Sequence, residues 1–127
     1  MSTMFVPLTA QSELQDEEVV ARVLAGETAL FEILMRRYNQ RLYRVARGIL
    51  GDESEAEDVM QDAYVRAYTN LEQFAGRARF GTWLTKIAVH EALDRVRRRD
   101  RFVEMEEQMP GFVSQLRGPE QAAADRE

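Results

Sequence analysis

"ETALFEILMRRYNQRLYRVARGIL", residues 27–50, decides the fold. Leu30, Phe31, Leu34, Met35, Tyr38, Leu42, Val45, Ala46 and Ile49 recur at steps of three and four. That spacing lines one side of an α-helix with apolar groups. Arg37, Arg41, Arg44 and Arg47 take the rest of the surface. The stretch is therefore predicted as one amphipathic helix from Glu27 to Leu50. Gly51 ends it, and Asn39-Gln40 is the place where a small break is expected. A stripe this long must be covered, so helices are expected on either side of it.

Upstream, "DEEVVARVLA" predicts a helix over Asp16–Ala25. Its acids sit in the first turn, where the helix dipole favours them, and Gly26 stops it. Downstream, "EAEDVMQDAYVRAYTNL" predicts a helix over Glu55–Leu71 with Ala56, Val59, Met60, Ala63, Ala67 and Leu71 as its apolar side. Ser54 followed by Glu57 fits a capping box. A fourth helix is expected to begin near Phe80 or Thr82 and to run through "GTWLTKIAVHEALDRVRRRDR" to Arg101. No stretch alternates as a strand does, and no internal repeat is visible. The fold class is all-α, a compact helical bundle with an acidic C-terminal linker. Three parts are expected: a flexible N-terminal segment over 1–15, the helical domain over 16–101, and a linker over 102–127. The last residues, "PEQAAADRE", read as the start of a further helix, so the chain reads as a piece of a longer protein.

Composition removes several chemistries. The 127 residues include no cysteine and a single histidine, His90. Disulfides, thiolate nucleophiles and cysteine- or histidine-rich metal sites are excluded. No nucleophile lies beside a base, and no phosphate-binding glycine loop is present. No cofactor, no metal and no enzymatic activity are expected. The N-terminus lacks a basic start and a long apolar run, so it makes a poor secretion signal. No stretch approaches the roughly 18 apolar residues of a membrane span. A cytoplasmic protein without membrane insertion is expected.

Charge is segregated along the chain. Formal net charge is -5, yet residues 77–101 carry eight basic side chains against three acids. The flanking segments are all acidic. Arginines near a helix C-terminus are favourable against the dipole, which accounts for one or two of them. Arg95, Arg97, Arg98, Arg99 and Arg101 crowd seven positions, and mutual repulsion there points to a polyanion partner. On a helical wheel, Leu84, Ala88, Val89, Ala92, Leu93 and Val96 share one side. Trp83, Lys86, His90, Asp94, Arg97 and Arg101 share the other. An aromatic ring among cations suits an unstacked base, with cations on the phosphates. The plainer alternative is that Trp83 packs against the preceding loop, around Phe74 or Phe80. In that loop, "EQFAGRARFG", Arg77 and Arg79 lie next to Phe80. It reads either as a cradle for a flipped base or as ordinary surface. Asp58, Gln61, Asp62 and Val65 form a second unusual face, solvated or suited to a basic protein surface.

Together these blocks resemble region 2 of bacterial sigma factors of the extracytoplasmic-function type. "AEDVMQDAYVRAY" is similar to that family's core-polymerase-binding helix. The "FGTWLTKIAVHEALDRVRRRDR" block is similar to its promoter-recognition helix. The segment "LAGETALFEILMRRYNQRLYRVARGILGD" also fits, and "PEQAAADRE" resembles the entrance to region 4. The resemblance spans roughly Asp16 to Arg101. It implies docking on the clamp helices of core RNA polymerase through Asp58, Gln61, Asp62 and Val65. It further implies capture of the single-stranded non-template minus-ten element, which helps melt promoter DNA. Arg77 and Arg79 are then in the loop that grips a flipped base. Phe80, Thr82, Trp83, Lys86, Ile87 and His90 line the strand, and Arg95, Arg98 and Arg99 hold phosphates. An anti-sigma factor is the further partner implied. The family often has asparagine where His90 stands, and region 4 is missing from this sequence. A helical interaction module whose basic helix binds an acidic partner is the alternative reading.

Overall fold

The computed structural model describes residues 13–111. The expected flexible segment lies mostly outside these residues, as does the expected start of region 4. Four α-helices follow in order: α1 (Asp16–Leu24), α2 (Phe31–Leu50), α3 (Glu53–Thr69) and α4 (Phe80–Gln108). Short 3-10 turns, Thr28–Leu30 and Leu71–Gln73, precede α2 and follow α3. No strand occurs among the described residues. The fold class is all-α. The chain divides into two compact units at Ala92–Leu93, with α4 running from one into the other.

In the first unit α2 is unbroken through Asn39-Gln40. The Tyr64 hydroxyl from α3 donates to Asn39 Oδ1 at 2.6 Å. Asn39 is therefore a contact between helices rather than a weak point within one. The helix begins at Phe31 instead of Glu27, because a 3-10 turn occupies Thr28–Leu30. Gly51 ends it in the left-handed conformation, φ 74°, with its N–H on the Arg47 carbonyl at 2.9 Å. Only glycine enters that region without a steric penalty.

Asp52, not Ser54, caps α3. Its carboxylate accepts the Glu55 N–H at 2.9 Å, and the helix starts at Glu53, two residues before the expected Glu55. Asp52 has the extended backbone that a cap needs, whereas Ser54 already lies within the helix.

The core cluster draws on every element. Val19, Val20 and Val23 come from α1, Phe31, Leu34 and Leu42 from α2, and Ala63, Tyr64 and Ala67 from α3. Leu71, Phe80, Leu84 and Ala88 complete it. Small residues dominate the buried sides of α3 and α4: Ala56, Ala63 and Ala67 on one, Gly81, Ala88 and Ala92 on the other. With little side chain between them and their neighbours, these backbones can approach closely. No buried side-chain polar atom lacks a partner among the described residues.

In the second unit the helix passes Arg101 and ends at Gln108. The Gly111 N–H donates to Glu106 Oε1 at 2.8 Å, and Gly111 takes φ 86°. That turn closes the described chain.

Candidate nucleic-acid interface

The start of α4 carries a cluster of three rings. Phe80 is fully buried. Its ring centroid lies 5.5 Å from Phe74, edge-on, and 5.7 Å from Trp83. Phe74 and Trp83 are 5.4 Å apart. Trp83 thus has the neighbours that the plainer alternative gave it. It packs on Phe74 and Phe80, and it remains half-buried at the surface rather than enclosed. Aromatic pairs of this kind add roughly 0.5–1.5 kcal/mol each beyond area burial. They hold the plane of the half-buried Trp83 ring.

Phe80, expected to line the strand, is enclosed in the core. At 0% exposure it has no surface to offer a strand, and Phe74 and Trp83 pack on it. Ile87 is half-buried and packs against the core. Thr82 is also half-buried, whereas Lys86 and His90 are exposed. Arg77 and Arg79 are exposed on the connecting loop, which turns at Gly76 with φ 74°. Thr82 and Trp83 both send their N–H groups to the Arg79 carbonyl, at 3.0 and 3.1 Å. This ties the basic loop to the first turn of α4.

Further along, within the second unit, Asp94, Arg97, Arg98, Asp100 and Arg101 line one shallow groove. Arg97 is paired with Asp94 at 3.1 Å on the same helix. Arg98 and Arg99 are exposed, and Arg95 is half-buried. The basic block is thus interleaved with acids.

The outer side of α3 carries Asp58, Gln61, Asp62 and Val65, all exposed. Val65 stands out at 66% exposure, an apolar side chain left open on a polar helix. Next to it Arg66 reaches Glu91 of α4 at 2.8 Å. This interhelical pair was not anticipated from the sequence, because neither residue belongs to an apolar pattern.

Several other neighbours were missed. Asp16 accepts a bond from Arg37 Nη1 at 2.8 Å and a short one from the Tyr38 hydroxyl. Burial, then the Asp16 bond, pushes the Tyr38 phenol up to about 12. Burial alone does the same to Tyr64. Residues 21 or 22 apart have no signature in a local pattern.

Among the described residues, no group of three or more His, Cys, Asp or Glu side chains is placed to hold a metal ion. No described helix is long and apolar enough to cross a membrane.

A family model described as Sigma-70 region 2 matches residues 34–102. The chain belongs to the Sigma-70 region 2 family. The match begins within α2 and takes in α3, the ring cluster and the basic block of α4. This region 2 chain is similar to the ECF RNA polymerase sigma factor SigW of Bacillus subtilis, 32% identical over 87 residues. That alignment covers 68% of this chain and 46% of the relative. It is also similar to the RNA polymerase sigma-H factor of Pseudomonas aeruginosa, at 36% identity over 61% of this chain and 40% of the relative. The ECF sigma factor SigM of Mycobacterium tuberculosis is 36% identical, over 68% and 44%. The region 2 chain thus spans less than half the length of these curated relatives. Among solved structures, it is similar to an engineered region 2 of sigmaE in complex with GTAAAA. The TM-score is 0.60 at 28% identity, covering 77% of this chain and 96% of that one. The relatives are named as sigma factors, which are initiation factors rather than enzymes.

Proposed function

We propose that this chain is the promoter-recognition part of an extracytoplasmic-function sigma factor. It binds core RNA polymerase and holds the single-stranded non-template minus-ten element during promoter melting. The observation that carries the reading is the ring cluster at the start of α4. Trp83 is braced by Phe74 and the buried Phe80, and it keeps part of its surface open. A braced, part-exposed indole is a stacking platform for a base that has left its helix. Arg77 and Arg79 on the adjoining loop, with Lys86 on α4, supply charge for the backbone. Thr82, next to Trp83, and His90, about two turns further along α4, add hydrogen-bonding groups. The engineered sigmaE region 2 of similar fold was solved with GTAAAA, an oligonucleotide that fits the same use. Melting costs a few kcal/mol per unstacked base, and a site that binds the opened base offsets that cost.

Asp58, Gln61, Asp62 and Val65 are the polymerase-facing residues in this reading, and Arg95, Arg98 and Arg99 contact phosphates. The protein acts in the cytoplasm. An anti-sigma factor is the second protein partner, competing for one of the two faces.

The test is capture of single-stranded DNA from a randomised hexamer pool by the full chain at low salt. The parent enriches a hexamer, and Trp83→Ala weakens it by about 1–3 kcal/mol, the size of one lost stacking contact. Equal capture by parent and variant would falsify the assignment of Trp83 to the strand.

A further inference from the structure

Asp16 is remote in sequence from Trp83, yet unbroken contacts join them. The Asp16 carboxylate is mostly enclosed, at 18% exposure. One oxygen accepts from Arg37 and the other from the Tyr38 hydroxyl. The Tyr38 ring cannot change rotamer without giving up that bond. Arg41 lies 6.0 Å from the centroid of the same ring.

Tyr38 also bears on α4. Its ring centroid is 6.0 Å from that of Phe80. A Cβ placed on Gly81 would come within 2.5 Å of Tyr38 Cε1. The phenol therefore lies directly against the bare backbone of Gly81, an approach that any other residue would block. Phe80 and Gly81 are the first two residues of α4, and Trp83 follows within the same turn. First turns lack half of their backbone hydrogen bonds and fray most readily. Thr85 adds one bond here, its hydroxyl to the Gly81 carbonyl at 2.6 Å. A stacking platform works only when held to within about 0.5 Å of its productive place.

We propose that Tyr38, locked by Asp16, is a positioning residue for Trp83: it pins the first turn of α4 so that the indole meets an unpaired base in one orientation. Asp16 lies outside residues 34–102, which the family model matches, whereas Tyr38 lies within them. The inference rests on the strand-binding reading of Trp83.

Trp83 is the only tryptophan, so its fluorescence reports on the site without labels. The experiment uses the full chain with Tyr38→Phe, Asp16→Asn, Asp16→Ala and Trp83→Ala. The probe is the single-stranded hexamer that the parent selects from a randomised pool. Tyr38→Phe keeps the ring, the helical circular dichroism and polymerase capture. It lowers Trp83 anisotropy and weakens hexamer binding several-fold. Asp16→Ala, which leaves every residue of α4 in place, reproduces both losses. Asp16→Asn keeps an acceptor oxygen for the phenol and retains most of the affinity.

Unchanged anisotropy and affinity in Tyr38→Phe and Asp16→Ala, beside a loss in Trp83→Ala, overturn the positioning role alone. If Trp83→Ala binds as the parent does, or if no hexamer is selected, the strand-binding reading falls and the positioning role falls with it.

Discussion

Phe80 and Trp83 stand within one turn of α4 with ring centroids 5.7 Å apart, and only Phe80 is closed off from solvent. In the proposed reading, that difference makes Phe80 the support and Trp83 the contact. Phe80→Ala empties a fully buried site and should cost about 3–5 kcal/mol of stability. Trp83→Ala removes a half-buried ring, so its stability cost should fall below that of Phe80→Ala, while strand binding suffers more directly. Chemical denaturation of both variants checks the order. A Trp83→Ala chain less stable than Phe80→Ala contradicts this division of labour.

The outer side of α3 makes a different prediction. Asp58 and Asp62 are exposed, one turn apart, with Val65 open beside them. Reversing both charges in Asp58→Arg/Asp62→Arg leaves the buried side of the helix untouched. Helical circular dichroism should stay at the parent level, while capture of bacterial core RNA polymerase is lost. Retained capture by a folded double variant removes these residues from the polymerase face.

Most of the architecture was legible because helices announce themselves locally. The apolar stripe of 27–50 predicted the long helix, and Leu34, Leu42 and Ala46 from that stripe are fully buried. Gly26 and Gly51 marked their stops, and both adopt positive φ. The site was legible only in part. Periodicity placed Trp83 off the apolar side of α4 but could not show that Phe80, three residues earlier, belongs to the core. Nor could it show Tyr64, whose hydroxyl crosses to Asn39 of α2, or Asp16 reaching Tyr38. Such contacts depend on which helices become neighbours, and a local pattern carries no record of that.

The start of α3 gives a direct check on capping. Asp52 accepts the Glu55 N–H, whereas Ser54 lies inside the helix. Asp52→Ala should cost about 1 kcal/mol, the usual cost of a lost N-cap. Ser54 is exposed, so Ser54→Ala should change stability by no more than about 0.5 kcal/mol. Thermal melting of the two variants decides between the caps; a larger loss at Ser54 reverses the assignment.

Salt dependence tests the proposed phosphate contacts. Arg98 is exposed and lines a groove with Arg97 and Arg101. For single strands, each neutralised phosphate contributes about 0.7 to the slope of log K against log salt. Arg98→Ala should therefore flatten the slope by up to about 0.7 without altering which hexamer is preferred. A changed preference with an unchanged slope assigns Arg98 to base reading instead.

Alkaline pH probes the two enclosed phenols. Burial raises both Tyr38 and Tyr64 from 10.0 to about 12, with the Asp16 bond adding to the shift at Tyr38. The folded state therefore holds these protons after the unfolded chain has begun to release them. Below the unfolded pKa of about 10 their contribution is fully present; it declines as pH rises through the folded value near 12. Melting temperature should be flat with respect to these groups up to about pH 9 and fall between about 10 and 12. Tyr38→Phe and Tyr64→Phe remove the titrating groups, so each should reduce the alkaline fall while lowering stability at neutral pH through a lost hydrogen bond. Tyr64→Phe also leaves Asn39 without its donor from α3, which makes its neutral-pH loss a measure of that interhelical bond. If both variants keep the full alkaline decline, these phenols do not control it, and the decline must come from other groups.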